Sequence, residues 1–457
     1  MTIAIINPAT EELITNLQTD TPESIEQKLQ QLRLGQSSWK DKTVLDRLAC
    51  IERFGKLVQQ QRDELAQILT AETGKPLQQS INEITGAQNR IEHLQENAEI
   101  WLQEEEMVKT GNTYEKIVYE PLGVIGNISA WNFPYNVGFN VFLYALVSGN
   151  AVLYKPSEFA SLTGLKFRDL LWEAGVPKNV FDTALGGAEV GQTLLSIHLD
   201  GYFFTGSYQT GKSIAQAVAP KLVPVQLELG GKDPLYVMDD VKAVKQAAIN
   251  AAEGAFYNNG QSCCAVERIY VHKHIYEEFV EAFVAEVKNY TIGDPTDLKT
   301  FVGPLTRNAQ LAVLQAQVED AVAKGAKLAL GGKKLARKGY YFEPTVLLDV
   351  NHSMQVMLEE SFGPIIGIQQ VADDAEALSL MQDTPYGLTS AIFSNDQERA
   401  QLLFSQLNTG TVYWNCCDRV SPNVPWSGRG NSGLGSTLSY LGIRAFVQPK
   451  AYHLRQG

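Results

Sequence analysis

The run Phe256-Tyr257-Asn258-Asn259-Gly260-Gln261-Ser262-Cys263-Cys264 sets a thiol just after a Gly-containing turn. In such a turn, backbone N–H groups can point at a reacting oxygen. A thiolate is the best side-chain nucleophile near neutral pH, and it also leaves well. Taken alone, two Cys after a Gly more often read as small buried apolar residues. The rest of the chain bears on which reading holds.

Four further stretches carry polar or Gly residues behind strand-like segments. They are Trp131-Asn132-Phe133-Pro134, Lys155-Pro156-Ser157-Glu158, Phe204-Thr205-Gly206-Ser207 with Gly211, and Leu227-Glu228-Leu229-Gly230-Gly231-Lys232. Each has a bland reading. Gly206-Ser207 reads as a turn with an N-cap, and Lys155 as a solvated surface charge. Glu228 is harder to dismiss, because a carboxylate between Leu227 and Leu229 pays for burial unless it is paired or protonated.

Those residues need a scaffold. Leu45, Leu48, Ile51, Leu57, Leu65, Ile68 and Leu69 recur at helical spacing, so 21–105 is expected to be helical, with a stop at Thr73-Gly74-Lys75-Pro76. Beyond it, Val124–Ile128, Ala151–Lys155, Val180–Ala184 and Gly201–Thr205 read as short buried strands alternating with helices. A second set follows: strands 234–238 and 268–271, then helices 241–256, 275–288 and 306–324. Such alternation predicts parallel sheets. Gly230-Gly231-Lys232-Asp233-Pro234 is the natural hinge. Ligands in open α/β sheets bind at the carboxyl ends of strands, so the motifs can meet in one crevice.

With 457 residues, the length prior suggests about three domains. A net charge of −13 disfavours nucleic-acid and anionic-membrane partners, which need a basic footprint. No apolar run approaches the ~18–20 residues of a membrane span, and Met1–Pro8 does not read as a signal peptide. The five Cys form a poor disulfide framework. No C-x-x-C spacing suggests zinc, the six His show no cluster in the sequence, and no metal is expected. A reducing, cytoplasmic compartment is the simplest expectation.

Jointly the motifs are specific. W-N-F-P at 131–134, K-P-S-E at 155–158, F-T-G-S at 204–207, L-E-L-G-G-K at 227–232, G-Q-S-C at 260–263 and E-E-S-F-G-P at 359–364 resemble the aldehyde dehydrogenase superfamily in order and interval, over nearly the whole chain. The resemblance implies a Cys263 nucleophile, an oxyanion site from Asn132 and the Cys263 N–H, and Glu228 as general base for thioester hydrolysis. It implies NAD as cofactor, with NADP possible. Lys155 and Glu158 would meet the adenosine ribose, and Gly206, Ser207, Gly187 and Gly191 the phosphates. Glu360 and Phe362 would meet the nicotinamide end, with Ile128, Trp131, Phe204 and Leu229 along the cofactor. Cys264, one position out of register, is not the expected nucleophile. The expected substrate pocket comprises Tyr135, Asn136, Phe139, Asn140, Ser262, Cys264, Arg419 and Trp426. The expected substrate is a small or medium aldehyde, aliphatic or aromatic, without an obligatory charged end.

The implied fold is α/β. A Rossmann-like cofactor domain spans 1–103 and 122–230, and an α/β catalytic domain spans 231–436. A bridging element spans 104–121 and 437–457 and would support a homodimer or homotetramer. Three departures stand out. Val141 replaces a Lys that helps relay protons in many members. Trp426 and Gly430 replace Phe and Lys of a late motif. Asn140 sits where semialdehyde-type members carry Arg and betaine-aldehyde-type members carry Trp. The alternatives are a CoA-acylating enzyme, which usually lacks the Glu base, and a succinic-semialdehyde enzyme using Arg419. Arg419 otherwise pairs with an acidic neighbour or solvent. Cys416-Cys417 reads as filling or as a redox-sensitive pair.

Overall fold

The structure, a computed structural model, describes residues 1–456. Local chemistry sets the helix ends of the first hundred residues. Thr21 with Ser24 and Thr43 with Asp46 form reciprocal capping boxes that start helices Pro22–Trp39 and Val44–Gln60. Gly74 ends helix Arg62–Thr73 at φ 78°, a left-handed turn that costs Gly nothing. Helix Leu77–Leu102 follows Pro76.

Helices Pro22–Trp39 and Pro134–Val147 pack on a six-stranded sheet. Its order is Gly433–Leu434, Val225–Glu228, Gly201–Thr205, Val124–Ile128, Ala151–Lys155 and Phe181–Thr183. All pairs are parallel except the first. Three of these strands are buried along their whole length, which is why they read as continuous apolar runs rather than alternating ones. The edge strand Gly433–Leu434 comes from the stretch expected in the other domain and pairs Gly433 with Glu228. Two residues are too few to show a period in sequence.

A second, seven-stranded sheet runs Lys327–Leu330, Thr345–Leu348, Ile365–Val371, Arg268–His272, Pro234–Val237, Thr389–Phe393 and Thr411–Trp414. It has its own apolar core, with helices Val244–Phe256 and Tyr276–Lys288 packed together beside it. A third sheet joins Glu105–Thr110, Thr113–Pro121 and Val447–Arg455, all antiparallel. Among the described residues no helix is long and apolar enough to cross a membrane.

Glu228 ends a strand of the first sheet and Pro234 begins one of the second, so the hinge places the cleft between them.

Candidate active site

Cys263 is half-buried and follows a tight turn at the end of helix Val244–Phe256. Asn258 and Asn259 sit in the left-handed region, at φ 52° and 56°, where Asn is among the few tolerated side chains. Their carboxamides lock the turn. Asn258 Nδ2 donates to the carbonyls of Asn132 and Gln261, both at 3.1 Å. Asn259 Nδ2 donates to Pro304 O at 2.8 Å. Asn132 Nδ2 donates to Gln261 O at 3.1 Å, which ties it to the Cys263 turn. A carboxamide has two N–H donors, so one remains for a ligand oxygen.

Glu228 is buried, and its Oε1 accepts from Thr437 Oγ1 at 3.0 Å and Gln226 Nε2 at 3.4 Å. Burial outweighs those bonds and pushes its pKa up to about 8. A cavity of about 20 Å³ is lined by Glu228, Cys263, Asn140, Trp426 and Thr437, among others. That is room for one water molecule.

Every expected cofactor residue lines one continuous crevice. Ile128, Trp131, Lys155, Glu158, Gly187, Gly191, Phe204 and Gly206 line a part of about 620 Å³. Trp131, Gly206, Ser207, Leu229, Glu360 and Phe362 line the adjoining part of about 270 Å³, together with Asn132, Glu228 and Cys263. Lys155 is no surface charge: it is buried, and among the described residues Nζ donates only to Pro156 O, at 3.3 Å. Burial lowers its pKa. A desolvated ammonium without a carboxylate partner is a ready anion or hydroxyl site. Ser207 caps helix Tyr208–Val218 at the crevice wall, and the Gly206 N–H donates to Glu228 O at 3.0 Å. The crevice therefore suits a dinucleotide, with phosphates at a helix N-terminus.

The Glu360 end of the crevice is braced by buried charge. Lys232 and Glu267 form a 2.5 Å ion pair. Glu267 accepts the N–H groups of Ser361 and Phe362 at 3.0 Å each, so the segment carrying Glu360 is fixed. Glu360 Oε1 accepts from Gly231 N at 3.2 Å, and desolvation pushes its pKa to about 8. A Cβ on Gly230 would stand 2.1 Å from that carboxylate, so a larger residue there would push Glu360 aside. Trp131 and Phe362 meet edge to face, with centroids 5.6 Å apart.

The expected substrate residues divide. Asn136 and Arg419 line an entrance cavity of about 410 Å³, with Glu83, Glu253, Cys416, Cys417 and Asp418. Asn140 and Trp426 line the small inner cavity. Tyr135 and Phe139 do not line either one. Both are fully buried among Phe54, Phe142 and Phe167. On helix Pro134–Val147, residues 135 and 139 share one face and 136 and 140 the next, because each step turns the helix 100°. Ser262 and Cys264 are buried and bond Asp418 instead of facing the cavity.

Sequence reasoning missed several groups. Arg307 lines both parts of the crevice. Arg90 reaches Asn140 Oδ1 through Nε at 2.9 Å, from a helix fifty residues earlier. Neither carries a local motif. Asp239, His272 and His274 bring one possible ligand atom each within 4.8 Å of one another, a cluster absent from the linear sequence. Asp239 is held by Arg399 at 2.7 Å, and His272 Nδ1 accepts the His274 N–H at 3.3 Å, so both are already engaged.

The crevice, the buried carboxylate and the half-buried thiol define an oxidoreductase of the dinucleotide-binding class. The Aldehyde dehydrogenase family profile matches residues 1–452. Aminoaldehyde dehydrogenase 1, peroxisomal, of Malus domestica is 34% identical, with 98% of this chain and 91% of that protein aligned. A solved E. coli NADP dependent enzyme superposes with a TM-score of 0.97 at 28% identity, covering 100% of this chain and 95% of the other. Betaine aldehyde dehydrogenase from Staphylococcus aureus, solved in complex with NAD+, gives 0.94 at 31% identity, covering 100% and 94%.

The chain belongs to the aldehyde dehydrogenase family. It is an NAD(P)-dependent oxidoreductase acting on aldehydes.

Proposed function

We propose that the enzyme oxidises an aldehyde to a carboxylic acid through a thiohemiacetal and then a thioester on Cys263, hydrolysed by water with Glu228 as base. The observation that carries this reading is the water-sized cavity shared by Glu228 and Cys263. Cys263 as thiolate attacks the carbonyl carbon. The free N–H of Asn132 and the Cys263 N–H meet the oxyanion that develops. When bound, the nicotinamide supplies the hydride acceptor that lets the thiohemiacetal become a thioester. Glu228 then takes a proton from water as that water attacks the thioester. A buried carboxyl near pKa 8 is well matched to such a role at neutral to mildly alkaline pH.

Lys155 and Glu158 would hold the adenosine ribose. Glu158 accepts from the 2′-hydroxyl of NAD and repels the 2′-phosphate of NADP, so NAD is preferred. Gly187, Gly191, Gly206 and Ser207 would face the phosphates, and Glu360 and Phe362 the nicotinamide end.

A second reading has one observation in its favour. Arg419 is exposed at the entrance cavity, and its guanidinium makes no ion pair among the described residues, so it is free to hold a substrate carboxylate. We commit to a small or medium aldehyde without an obligatory charged end. NADH formation with a short aldehyde panel, with and without CoA, tests the function. Turnover without CoA, and an acid as product, is expected. An absolute need for CoA would replace hydrolysis with acyl transfer.

A further inference from the structure

The two parts of the cofactor crevice share Ala130, Trp131, Thr205, Gly206 and Arg307, so these residues mark the junction between them. Arg307 is the one charged side chain of the five. The N–H groups close by are partly spent. Gly206 N donates to Glu228 O at 3.0 Å, Gly187 N to Glu189 Oε1 at 2.9 Å and Thr210 N to Ser207 Oγ at 3.4 Å. Among the described residues, the cations that line the crevice are Lys155 and Arg307. Lys155 lines the larger part alone, with Glu158. Glu158, Glu228 and Glu360 are carboxyl groups and cannot neutralise an anion.

The backbone of Arg307 is fixed while its side chain is free. It precedes helix Asn308–Ala323, whose Leu311, Leu314 and Val318 pack with Tyr236 and Ile365 of the second sheet. Thr306 N donates to Gln261 Oε1 at 3.0 Å, and Thr306 Oγ1 to Thr73 O at 2.5 Å, so the residue before Arg307 is tied to the Cys263 turn. One helical turn on, Gln310 Nε2 donates to Ser361 O at 2.6 Å, beside Glu360. The Arg307 side chain is exposed, and its guanidinium makes no ion pair or hydrogen bond among the described residues. It extends over Phe159, with the guanidinium carbon 6.0 Å from the ring centroid. Phe159 in turn meets Trp131 edge to face, with centroids 6.4 Å apart. Arg307 is thus rooted in the body of the second sheet and reaches a ring that follows strand Ala151–Lys155 of the first.

We infer that Arg307 binds the pyrophosphate of the dinucleotide and holds it from the second-sheet side of the crevice. This rests on the reading that puts the adenosine ribose at Lys155 and Glu158 and the nicotinamide at Glu360 and Phe362. A dinucleotide so laid has its pyrophosphate midway, where the two parts of the crevice meet. A guanidinium offers five N–H donors in a planar fork that matches two phosphate oxygens at once. Bonds of that kind are about twice as strong as those from neutral N–H groups. The free side chain can leave Phe159 for the phosphates at little cost, because it gives up no hydrogen bond. The cofactor is then gripped from both bodies, by the head of helix Tyr208–Val218 on one and by Arg307 on the other. The 2′-phosphate of NADP would lie instead beside Lys155 and Glu158, and the two anions are separable by experiment.

The test is the Kd of the full-length enzyme for NAD, NADP and ADP-ribose, measured by calorimetry with no aldehyde present. All three ligands carry the pyrophosphate, ADP-ribose lacks the nicotinamide, and NADP alone has the 2′-phosphate. Arg307→Ala should weaken all three by about tenfold, the loss of a charge-assisted contact. Arg307→Lys should recover much of that, because a point charge still attracts phosphate. Added salt should weaken binding to the unaltered enzyme more steeply than to Arg307→Ala, a difference that a purely structural role would not produce. Should Arg307→Ala fail to fold, Arg307→Gln takes its place under the same expectation. A change of less than about twofold for all three ligands overturns the inference. So does a loss confined to NADP, which would place Arg307 at the 2′-phosphate, and a loss for NAD and NADP that spares ADP-ribose, which would place it at the nicotinamide. An unaltered enzyme that binds none of the three would remove the cofactor reading itself, and this inference with it.

Discussion

Thr437 Oγ1 donates to Glu228 Oε1 at 3.0 Å, next to the edge pairing of Gly433 with Glu228. The bond favours the ionised carboxylate and works against the burial that holds it near pKa 8. Losing that hydrogen bond, worth about 1 kcal/mol, should raise the pKa further. Thioester hydrolysis needs ionised Glu228, so its rate rises with pH through the folded-state pKa. In Thr437→Val the pH profile of deacylation should therefore shift toward alkaline pH. An unmoved or acid-shifted profile would show that another group governs this step.

The cofactor end gives a second expectation. Lys155 is a buried ammonium that makes no ion pair among the described residues, and the proposal gives it the adenosine ribose. Lys155→Ala should raise the KM for NAD by about tenfold, the loss of one charge-assisted hydrogen bond. Glu158→Ala should raise the ratio of kcat/KM for NADP over NAD by about tenfold, because it removes a repulsive charge. Steady-state kinetics with both cofactors checks each change. A falling ratio in Glu158→Ala contradicts the assigned role.

Neighbouring positions on one helix should behave differently. Tyr135 and Phe139 lie in the apolar core, so Phe139→Ala should cost about 3–5 kcal/mol of stability in chemical denaturation. The KM of the surviving folded enzyme should hold. Asn140→Ala, one residue on, should change KM for the aldehyde, since it lines the cavity beside Cys263. The reverse pattern would place the pocket on the other helix face.

At the entrance, Arg419→Ala should leave kcat/KM for a neutral aldehyde unchanged. Comparison with succinic semialdehyde of similar length decides whether Arg419 selects a carboxylate. An advantage for the semialdehyde of about a hundredfold, about 2.7 kcal/mol, that vanishes in Arg419→Ala would establish the second reading.

Much of the scaffold was legible because its signals are local. The strands at 124–128, 151–155 and 201–205 are buried apolar runs bounded by Gly and Asn, and the stop at Gly74-Lys75-Pro76 lies where the Gly turn ends a helix. The lining of the crevice was legible because its residues sit in motifs at strand ends. The pocket was less so. Tyr135 and Phe139 lie one residue from Asn136 and Asn140, and one residue of helix is 100° of rotation, so only packing tells the faces apart. The Arg90–Asn140 bond spans fifty residues and the Cys264–Asp418 bond more than a hundred and fifty. No pattern in the linear sequence reports which distant side chains the fold brings together. The edge strand Gly433–Leu434 escaped for the same reason, being defined by its partner and not by its own residues.

The central claim is that Cys263 carries the acyl group and Glu228 releases it. Rapid mixing of Glu228→Gln with NAD and a reactive aldehyde tests it most directly. The account predicts a burst of NADH approaching one equivalent per chain, then slow turnover, with the acyl group recovered on Cys263 by peptide mass. A linear trace with no burst and no acylated Cys263, in a variant whose steady-state rate matches that of the unaltered enzyme, would contradict it.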